Sequence, residues 1–215
     1  MTVTSHDPGT TMREARAHYF IANNFGDDGG YDDAWVNIKL GPLHLSLPNK
    51  GGRARAVPYH DLHHVITGYD TDIVGEFEIA GWEIGSGCKD YWVAWFLNTG
   101  SVTGGLLRCP RRTFRAFVRG RGSRTLYGED LAALLTATVA TVRSRMAVTQ
   151  AEQRKPGPAD VALFGLTVVA GVVTGSLTVA LGALAAPFVL AWSALRRARP
   201  ASPPPPPSPP DPPPS

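Results

Sequence analysis

Three side chains of types that commonly bind metal ions fall within one short stretch of this sequence. His60 and His64 are four residues apart, and Asp61 lies between them. Residues four apart lie on one face of a helix, so the two imidazoles can contact the same ion. Asp61, three residues before His64, is close enough to add an oxygen ligand or to orient a ring from outside the ligand set.

A fourth side chain of this kind, Glu76, follows His64 after eleven residues and needs a second helix to reach the others. Gly68 is typical of the end of a first helix, and Thr71 and Asp72 are residue types that cap the start of a second. Residues 73–80 then continue a helical pattern. Two antiparallel helices joined by this short turn would place two nitrogens and two carboxylates around one point. We therefore predict a metal site with four ligands: His60, Asp61, His64 and Glu76.

The residues from His60 to Glu76 read HDLHHVITGYDTDIVGE. This stretch resembles the motif of the coenzyme Q (ubiquinone) biosynthesis protein 4 family, which carries His-Asp-x-x-His, then eleven residues, then Glu. Members of the family also have a Gly, a Thr and a Gly-Glu pair inside the matching stretch. The likeness continues through Trp82-Glu83 and Gly85-Ser86-Gly87, and it covers roughly residues 55–120.

The resemblance implies a mainly helical, membrane-associated protein that binds zinc or a similar divalent ion. It also implies a role in quinone biosynthesis, where the family organises biosynthetic enzymes and removes the C1 carboxyl group of a polyprenylated ring precursor. The sequence departs from the family pattern in three features. Few residues precede the motif, an additional histidine occurs at His63, and an apolar segment with a proline tail is appended. These departures affect the inferred substrate more than the inferred metal.

The donor types predict which ions would bind and what they would do. Two neutral imidazoles and carboxylate oxygens form a borderline site that suits zinc best, with iron, manganese or cobalt as alternatives. With an open coordination position, the ion would act as a Lewis acid and stabilise negative charge on the ring oxygen during decarboxylation. Alternatively, Asp61 or Glu76 would serve as a general base. The sequence leaves the catalytic residues unassigned.

Two other functions are compatible with the motif. In the first, the protein is a non-catalytic scaffold or a prenyl-lipid-binding protein that organises biosynthetic enzymes, and the metal only joins two helices. In the second, it is a phosphohydrolase of the His-Asp type, but the histidines left for such a site lie in poorly patterned regions: His6, His18 and His44. A closed site with four ligands would favour a structural metal, and an open position would favour an enzyme.

Length and composition predict one compact domain with accessory segments. The chain has 215 residues, of which 43% are hydrophobic and 18% are charged. Its two cysteines, Cys88 and Cys109, are too few for a disulfide framework, so we expect free thiols in a reducing compartment. No charged stretch followed by an apolar one begins the sequence, and we expect no secretory signal peptide.

The composition changes sharply at Val161. From Val161 to Leu195 no residue is charged, and about twenty such residues are enough to cross the hydrocarbon core of a bilayer. We predict a transmembrane segment over 161–195, formed by one tilted helix or by a helical hairpin, with residues 150–160 as the linker before it. Basic residues flank both ends, and we place the soluble domain in the cytoplasm. Residues 196–215 are a basic flank and a proline-rich tail that we expect to be disordered.

Two further features of the sequence concern partners. Gly171 and Gly175 form a small-xxx-small pair that suits a homodimer or another close helix contact. Seven arginines occur between residues 108 and 124 with no acidic residue among them, and apolar residues interleave with them at near-helical spacing. This pattern suits a helix lying on anionic lipid headgroups, and no nucleic-acid motif accompanies it. The predicted anionic-lipid surface consists of Arg111, Arg112, Arg115 and Arg119.

The domain from 1 to 149 is predicted to be mainly α. We expect a helix over Thr11–Phe20, a helix over Tyr91–Leu107 that packs against the motif pair, and one amphipathic helix near Glu129–Met146. Alternating apolar residues from Trp35 to Leu47, interrupted by Gly-Pro, indicate a short N-terminal β-hairpin.

Overall fold

The computed structural model describes residues 9–26, 29–31, 35–40, 43–48 and 51–197. The protein is mainly helical, as predicted. In chain order the elements are α1 (Met12–Asn23), β1 (Trp35–Leu40), β2 (Leu43–Pro48), α2 (Gly52–Thr67), α3 (Ile73–Ser86), α4 (Trp92–Arg108), α5 (Pro110–Arg121), α6 (Leu131–Thr136), α7 (Val139–Arg145), α8 (Val148–Ala151) and α9 (Pro158–Arg197). The proline-rich tail lies outside the described residues.

The strands β1 and β2 pair in antiparallel register, with Trp35 opposite Pro48 and Leu40 opposite Leu43. They fall in the region for which the sequence predicts a short hairpin. The Gly-Pro connection between them lies outside the described residues, so the turn itself stays a prediction.

The helices α2 and α3 meet at a tight turn whose ends carry the predicted capping residues. Gly68 follows the last residue of α2 with a left-handed backbone (φ 76°), and its N–H donates to the carbonyl oxygen of His64 at 2.9 Å. Asp72 caps α3, because its carboxylate accepts hydrogen bonds from two backbone N–H groups of the first turn at 2.7 and 3.1 Å. The turn therefore fixes α3 immediately beside the last turns of α2.

The helix α3 lies at the centre of the domain, in contact with α2, α4 and α5. Its crossing with α5 depends on glycine, because a Cβ on Gly85 would lie 2.2 Å from the carbonyl oxygen of Phe117. A Cβ on Gly120 would likewise lie 2.2 Å from the carbonyl oxygen of Trp82. The two backbones approach so closely that Trp82 is fully buried between the helices and the rest of the core.

One hydrophobic core joins the first helix to the motif helices. Met12 and Phe20 from α1 pack with Leu62 and Ile66 from α2, and all four are almost completely buried. The helix α1 begins at a capping box in which Thr11 and Glu14 satisfy each other's backbone N–H groups. The same core includes Ile79 and Trp82 of α3, so it joins α1, α2 and α3.

The prediction of one helix near Glu129–Met146 is wrong, because the structure has two short helices, α6 and α7. Thr138, the single polar residue on the predicted apolar stripe, is the N-cap of α7 and accepts from the N–H of Thr141 at 3.2 Å. Its neighbours bind the N-terminal segment: Met12 N–H donates to Ala137 O, and Val139 N–H donates to Thr10 O, both at 2.9 Å. Tertiary hydrogen bonds thus interrupt a helix that the apolar pattern alone would continue.

The last element, α9, is one continuous helix with Pro187 inside it, so the described residues take the single-helix form of the predicted segment. Its stretch Pro158–Phe188 is long and apolar enough to cross a membrane. The chain divides into two compact units between Gly175 and Ser176, and α9 begins in the first. Within that unit, Phe164 packs on the rings of Phe114 and Phe117 at centroid distances of 5.1 and 5.4 Å.

The helix α4 presents an exposed apolar face. Trp92 is 70% exposed and Leu107 is 87% exposed, and Trp95, Phe96 and Leu106 are also exposed on this helix. Between the two ends of this face, Gly171 of α9 packs against α4: a Cβ there would lie 2.1 Å from Thr103 Oγ1. The exposed apolar residues of α4 therefore lie beside the first part of the candidate membrane helix.

Candidate metal centre

Three of the four predicted ligands lie together where α2 faces α3. The Nε2 atoms of His60 and His64 are 3.3 Å apart. Oε2 of Glu76 lies 3.6 Å from Nε2 of His60, and Oε1 of Glu76 lies 3.5 Å from Nε2 of His64. These three residues, called the metal cluster below, could hold a metal ion.

The separations within the metal cluster allow one ion to contact all three residues. Ligand atoms about 2.0 to 2.1 Å from such an ion lie about 3.3 to 3.4 Å from one another. The two Nε2 atoms are 3.3 Å apart, which matches that value, and they lie 3.5 and 3.6 Å from the two different oxygens of Glu76. Neighbouring ligands of an octahedral ion at the same distance would be only about 3.0 Å apart. The spacing of the two imidazoles is therefore compatible with a small four-coordinate ion.

Both ligand imidazoles are oriented by an acceptor at their other nitrogen. Nδ1 of His60 lies 2.9 Å from Oε1 of Glu83, and Nδ1 of His64 lies 3.0 Å from the carbonyl oxygen of Tyr69. An acceptor at Nδ1 holds the proton there, which leaves the lone pair of Nε2 free for a metal. Two such lone pairs facing each other at 3.3 Å repel unless a metal ion or a proton lies between them.

Glu83 is the polar residue that holds this arrangement, and it was not among the predicted site residues. Its side chain is 1% exposed, and its carboxylate contacts four donors. Oε1 accepts hydrogen bonds from Nδ1 of His60 and from Nδ1 of His63, the second at 2.7 Å. Oε2 accepts hydrogen bonds from Nδ2 of Asn98 at 2.5 Å and from Oη of Tyr127 at 2.9 Å. A buried carboxylate with every lone pair engaged is rigid, so His60 is fixed in direction.

The additional histidine, His63, belongs to this buried support and not to the metal cluster. Its Nε2 accepts the backbone N–H of Leu126 at 3.0 Å, so Nδ1 carries the proton that it donates to Glu83. The ring is completely buried against Trp82 and Tyr127, with centroid distances of 4.9 Å to each. His63 therefore connects the site to the folded core.

The electrostatics of the site favour a positive charge between Glu76 and Glu83. Burial lowers the pKa of His60, but Glu83 and Glu76 together raise that pKa well above its ordinary value. Burial also raises the pKa of Glu83, yet the charge and hydrogen bonds of His60, with those of His63, hold it well below its ordinary value. For His64 burial dominates and lowers the pKa, so its imidazole is neutral and able to ligate.

Asp61, the fourth predicted ligand, is not part of the metal cluster. It is adjacent to His60 in sequence, and adjacent residues point about 100° apart around a helix. Its carboxylate accepts hydrogen bonds from Tyr31 Oη at 2.6 Å and from Tyr19 Oη at 3.5 Å. The ring of Tyr19 stacks on His64 at 5.7 Å, so Asp61 reaches the site through Tyr19, from outside the ligand set. Burial raises the pKa of Asp61 to about 6.

One side of the metal cluster faces solvent. The side chain of His64 is completely buried, whereas those of His60 and Glu76 are 27% and 38% exposed. Within the part of the chain that the structure describes, the ligand group contains these three residues and no fourth. Three protein ligands with an accessible side are typical of catalytic zinc sites, whereas structural sites have four protein ligands.

The four arginines of the predicted lipid surface differ in their surroundings. Arg112 makes two hydrogen bonds to the carboxylate of Glu78, at 2.9 and 2.5 Å. Arg119 donates to the carbonyl oxygen of Thr67 and to Glu152, both at 2.9 Å. Arg111 and Arg115 are exposed and, among the described residues, have no ion pair. Only these last two are therefore fully available to an external anion.

The fold and the metal cluster define a helical protein with a candidate metal centre and a helix that is long and apolar enough to span a membrane. Comparisons of the chain with protein-family models, with curated proteins and with solved structures found no match.

Proposed function

We propose that the protein is a membrane-associated metalloprotein of quinone biosynthesis, which acts on the aromatic ring of a polyprenylated precursor. One observation carries the metal part of this proposal: two imidazoles and a carboxylate converge within 3.6 Å, and each imidazole has its other nitrogen held by an acceptor. The quinone part rests on the likeness of residues 60–76 to the motif of the coenzyme Q biosynthesis protein 4 family.

Zinc is the ion that the cluster favours. Imidazole nitrogens with one carboxylate oxygen suit zinc, and the 3.3 Å separation of the two Nε2 atoms agrees with it. Iron or manganese would use the same donors but prefers more ligands in an octahedral arrangement. Zinc therefore serves as the first ion to test, with iron and manganese as alternatives.

The proposed reaction is removal of the C1 carboxyl group of a prenylated benzoate. Loss of carbon dioxide leaves an electron pair on the ring carbon, and a proton then bonds to that carbon. Replacement of the carboxyl group by a hydroxyl group would need dioxygen as the oxidant. When bound, the ion would supply Lewis acidity for the negative charge on the ring oxygen. His60, His64 and Glu76 would hold it, while Glu83 and Tyr69 keep the two rings in position.

The membrane provides the substrate in this proposal. The apolar helix α9 and the exposed residues Trp92 and Leu107 of α4 support an association with lipid. The thiols of Cys88 and Cys109 are free, which agrees with a domain on the reducing, cytoplasmic side. A polyprenyl chain dissolved in the bilayer could then reach a metal domain held beside it.

A second candidate function is a scaffold or prenyl-lipid-binding protein that organises biosynthetic enzymes, with a structural metal. The exposed apolar face of α4 favours it, because such a face can also contact proteins. The open side of the metal cluster favours the enzyme.

The test is elemental analysis of natively purified full-length protein, with extraction and mass spectrometry of co-purifying lipids. We expect about one zinc per chain in the parent protein and a loss of most of it in His60→Ala and in Glu76→Ala. His18→Ala is the matched control, since His18 is an exposed histidine on α1, and it should retain the metal. Equal metal contents in all four proteins would overturn the metal site. Metal without a prenylated aromatic lipid would favour the scaffold.

A further inference from the structure

A cleft of about 840 Å³ lies between α5 and the segment that leads from α8 into α9. Its walls carry six cationic side chains and two carboxylates, together with apolar residues that include Phe114 and Val118. We call it the arginine cleft. Its cations are Arg111, Arg112, Arg115, Arg119, Arg154 and Lys155, and its carboxylates are Glu78 and Glu152.

The two carboxylates of the arginine cleft are already paired. Glu78 receives the double hydrogen bond of Arg112 described above. Oε1 of Glu152 accepts from Arg119 at 2.9 Å and from Arg143, which lies outside the lining, at 3.1 Å. The acidic residues therefore do not neutralise the remaining cations of the cleft.

Several donors of the cleft have no partner within the described chain. Arg111, Arg115 and Lys155 are exposed and form no ion pair among the residues that the structure describes. Nε of Arg119 is buried and has no hydrogen-bond acceptor in that same part of the chain. A buried donor without an acceptor is costly, so Arg119 adds an unsatisfied polar group to the wall of the cleft. The cleft thus combines excess positive charge with an unsatisfied guanidinium donor.

We propose that the arginine cleft binds a phosphate-bearing ligand, at a site separate from the metal cluster. Guanidinium groups present paired donors that match phosphate oxygens, and a phosphate monoester carries up to two negative charges for the unpaired cations. The apolar residues Phe114 and Val118 suit a neighbouring hydrocarbon part of the same ligand. The chemistry fits the headgroup of an anionic phospholipid and also a soluble phosphate compound.

The position of the cleft makes a lipid headgroup the first source to test. Pro156 lines the cleft, and α9, the candidate membrane helix, begins two residues later at Pro158. Phe114 of the lining also packs on Phe164 of α9. Basic residues at the end of a membrane helix attract anionic headgroups.

The test uses the full chain in detergent with excess EDTA, so that phosphate bound to a metal ion does not contribute. Native mass spectrometry measures binding of phosphatidic acid and of phosphatidylcholine, and equilibrium dialysis measures binding of pyrophosphate. We expect phosphatidic acid to bind at least about tenfold more tightly than phosphatidylcholine. Equal pyrophosphate binding would identify a soluble phosphate as the source, and binding of phosphatidic acid alone would identify the lipid.

The critical comparison is between two double variants with the same loss of charge. Arg111→Gln/Arg115→Gln removes the two exposed arginines of the cleft, and we expect about tenfold or greater weakening. Arg108→Gln/Arg124→Gln removes two exposed arginines outside it, and binding should stay within about twofold. Equal weakening by both pairs, equal binding of the two lipids, or no binding of either phosphate probe would each overturn the proposal. Since EDTA is present throughout, failure here leaves the metal proposal unaffected.

Discussion

The metal cluster and the arginine cleft lie on either side of Tyr69 and are built in contrasting ways. The carbonyl oxygen of Tyr69 orients His64, while its ring lies 5.2 Å from the guanidinium carbon of Arg119. Around the metal cluster, Glu83 is buried and accepts from four donors. In the arginine cleft, exposed cations outnumber the carboxylates that could pair with them.

The two regions stabilise their charged side chains in different ways. Buried charges are tolerated only with full hydrogen bonding. The fully hydrogen-bonded carboxylate of Glu83 therefore fixes the orientation of the His60 ring. Exposed arginines are solvated and keep their freedom, so the cleft can accept ligands of different shape. The metal cluster is therefore expected to be sensitive to conservative substitutions, and the arginine cleft is expected to tolerate them.

The largest effect is expected from Glu83→Gln. The amide cannot accept from all four donors as the carboxylate does, so the free energy of unfolding should fall by about 3 to 5 kcal/mol. Metal affinity should fall by about 10- to 100-fold, because His60 loses its anionic acceptor. Chemical denaturation and titration against a chelating dye would measure the two effects.

The matched control for that variant is Glu78→Gln, on the same helix but on the side of the arginine cleft. Glu78 has an arginine partner and no contact with the metal ligands. It should leave metal affinity within about twofold of the parent value. A loss of affinity as large as that of Glu83→Gln would contradict the contrast between the two regions.

Removal of the metal should have the next largest effect. An ion present at about 100 times its dissociation constant stabilises the folded chain by about 2.7 kcal/mol, which EDTA would abolish. Thermal unfolding with zinc and with EDTA measures this difference. His64→Ala should show no response to zinc, whereas Arg111→Gln/Arg115→Gln should respond as the parent does. A zinc response retained by His64→Ala would place the ion elsewhere.

An effect of similar size that depends on pH is expected from Asp61→Asn. The folded pKa of Asp61, about 6, lies above the ordinary value of 3.8, so the folded state favours the protonated carboxyl. The contribution of the Asp61 carboxyl to the free energy of unfolding is fully present below pH 3.8 and is lost as the pH rises through about 6. Asparagine has no proton to lose, so the variant should gain about 3 kcal/mol over the parent at pH 7 and little at pH 4. Urea unfolding at both pH values, in EDTA, measures the gain, and a gain independent of pH would contradict the assignment.

The smallest effect is expected from Arg112→Gln in the arginine cleft. Its ion pair with Glu78 involves an arginine side chain that is 58% exposed, and such pairs contribute less than about 1 kcal/mol. Denaturation of this variant at low and high salt measures the contribution. A loss of several kcal/mol would show that the cleft is as rigid as the metal cluster.

The sequence was sufficient for the features that depend on local rules. Gly68 and Asp72 are capping residues whose types alone predict the turn between the motif helices, and the four-residue spacing of His60 and His64 predicts their shared face. The long uncharged run likewise predicts the helix α9. Each of these depends on neighbours along the chain, which the sequence displays directly.

Features that depend on distant partners could not be predicted in this way. Glu83 lies seven residues, two helical turns, after Glu76 and so shares its face of α3, but its donors Asn98 and Tyr127 come from far along the chain. Thr138 interrupts an apolar stripe only because the segment at Thr11 pairs with it. The hydrogen bonds that Asp61 accepts likewise come from distant residues, Tyr31 and Tyr19.

The support of the metal cluster is assembled from four separate parts of the chain. Glu83 is on α3, His60 and His63 are on α2, Asn98 is on α4, and Tyr127 precedes α6. A partly folded chain lacks some of these contacts and cannot orient His60. Tight retention of an ion is therefore a property of the completed tertiary structure, and ion uptake would report the final stage of maturation of this protein.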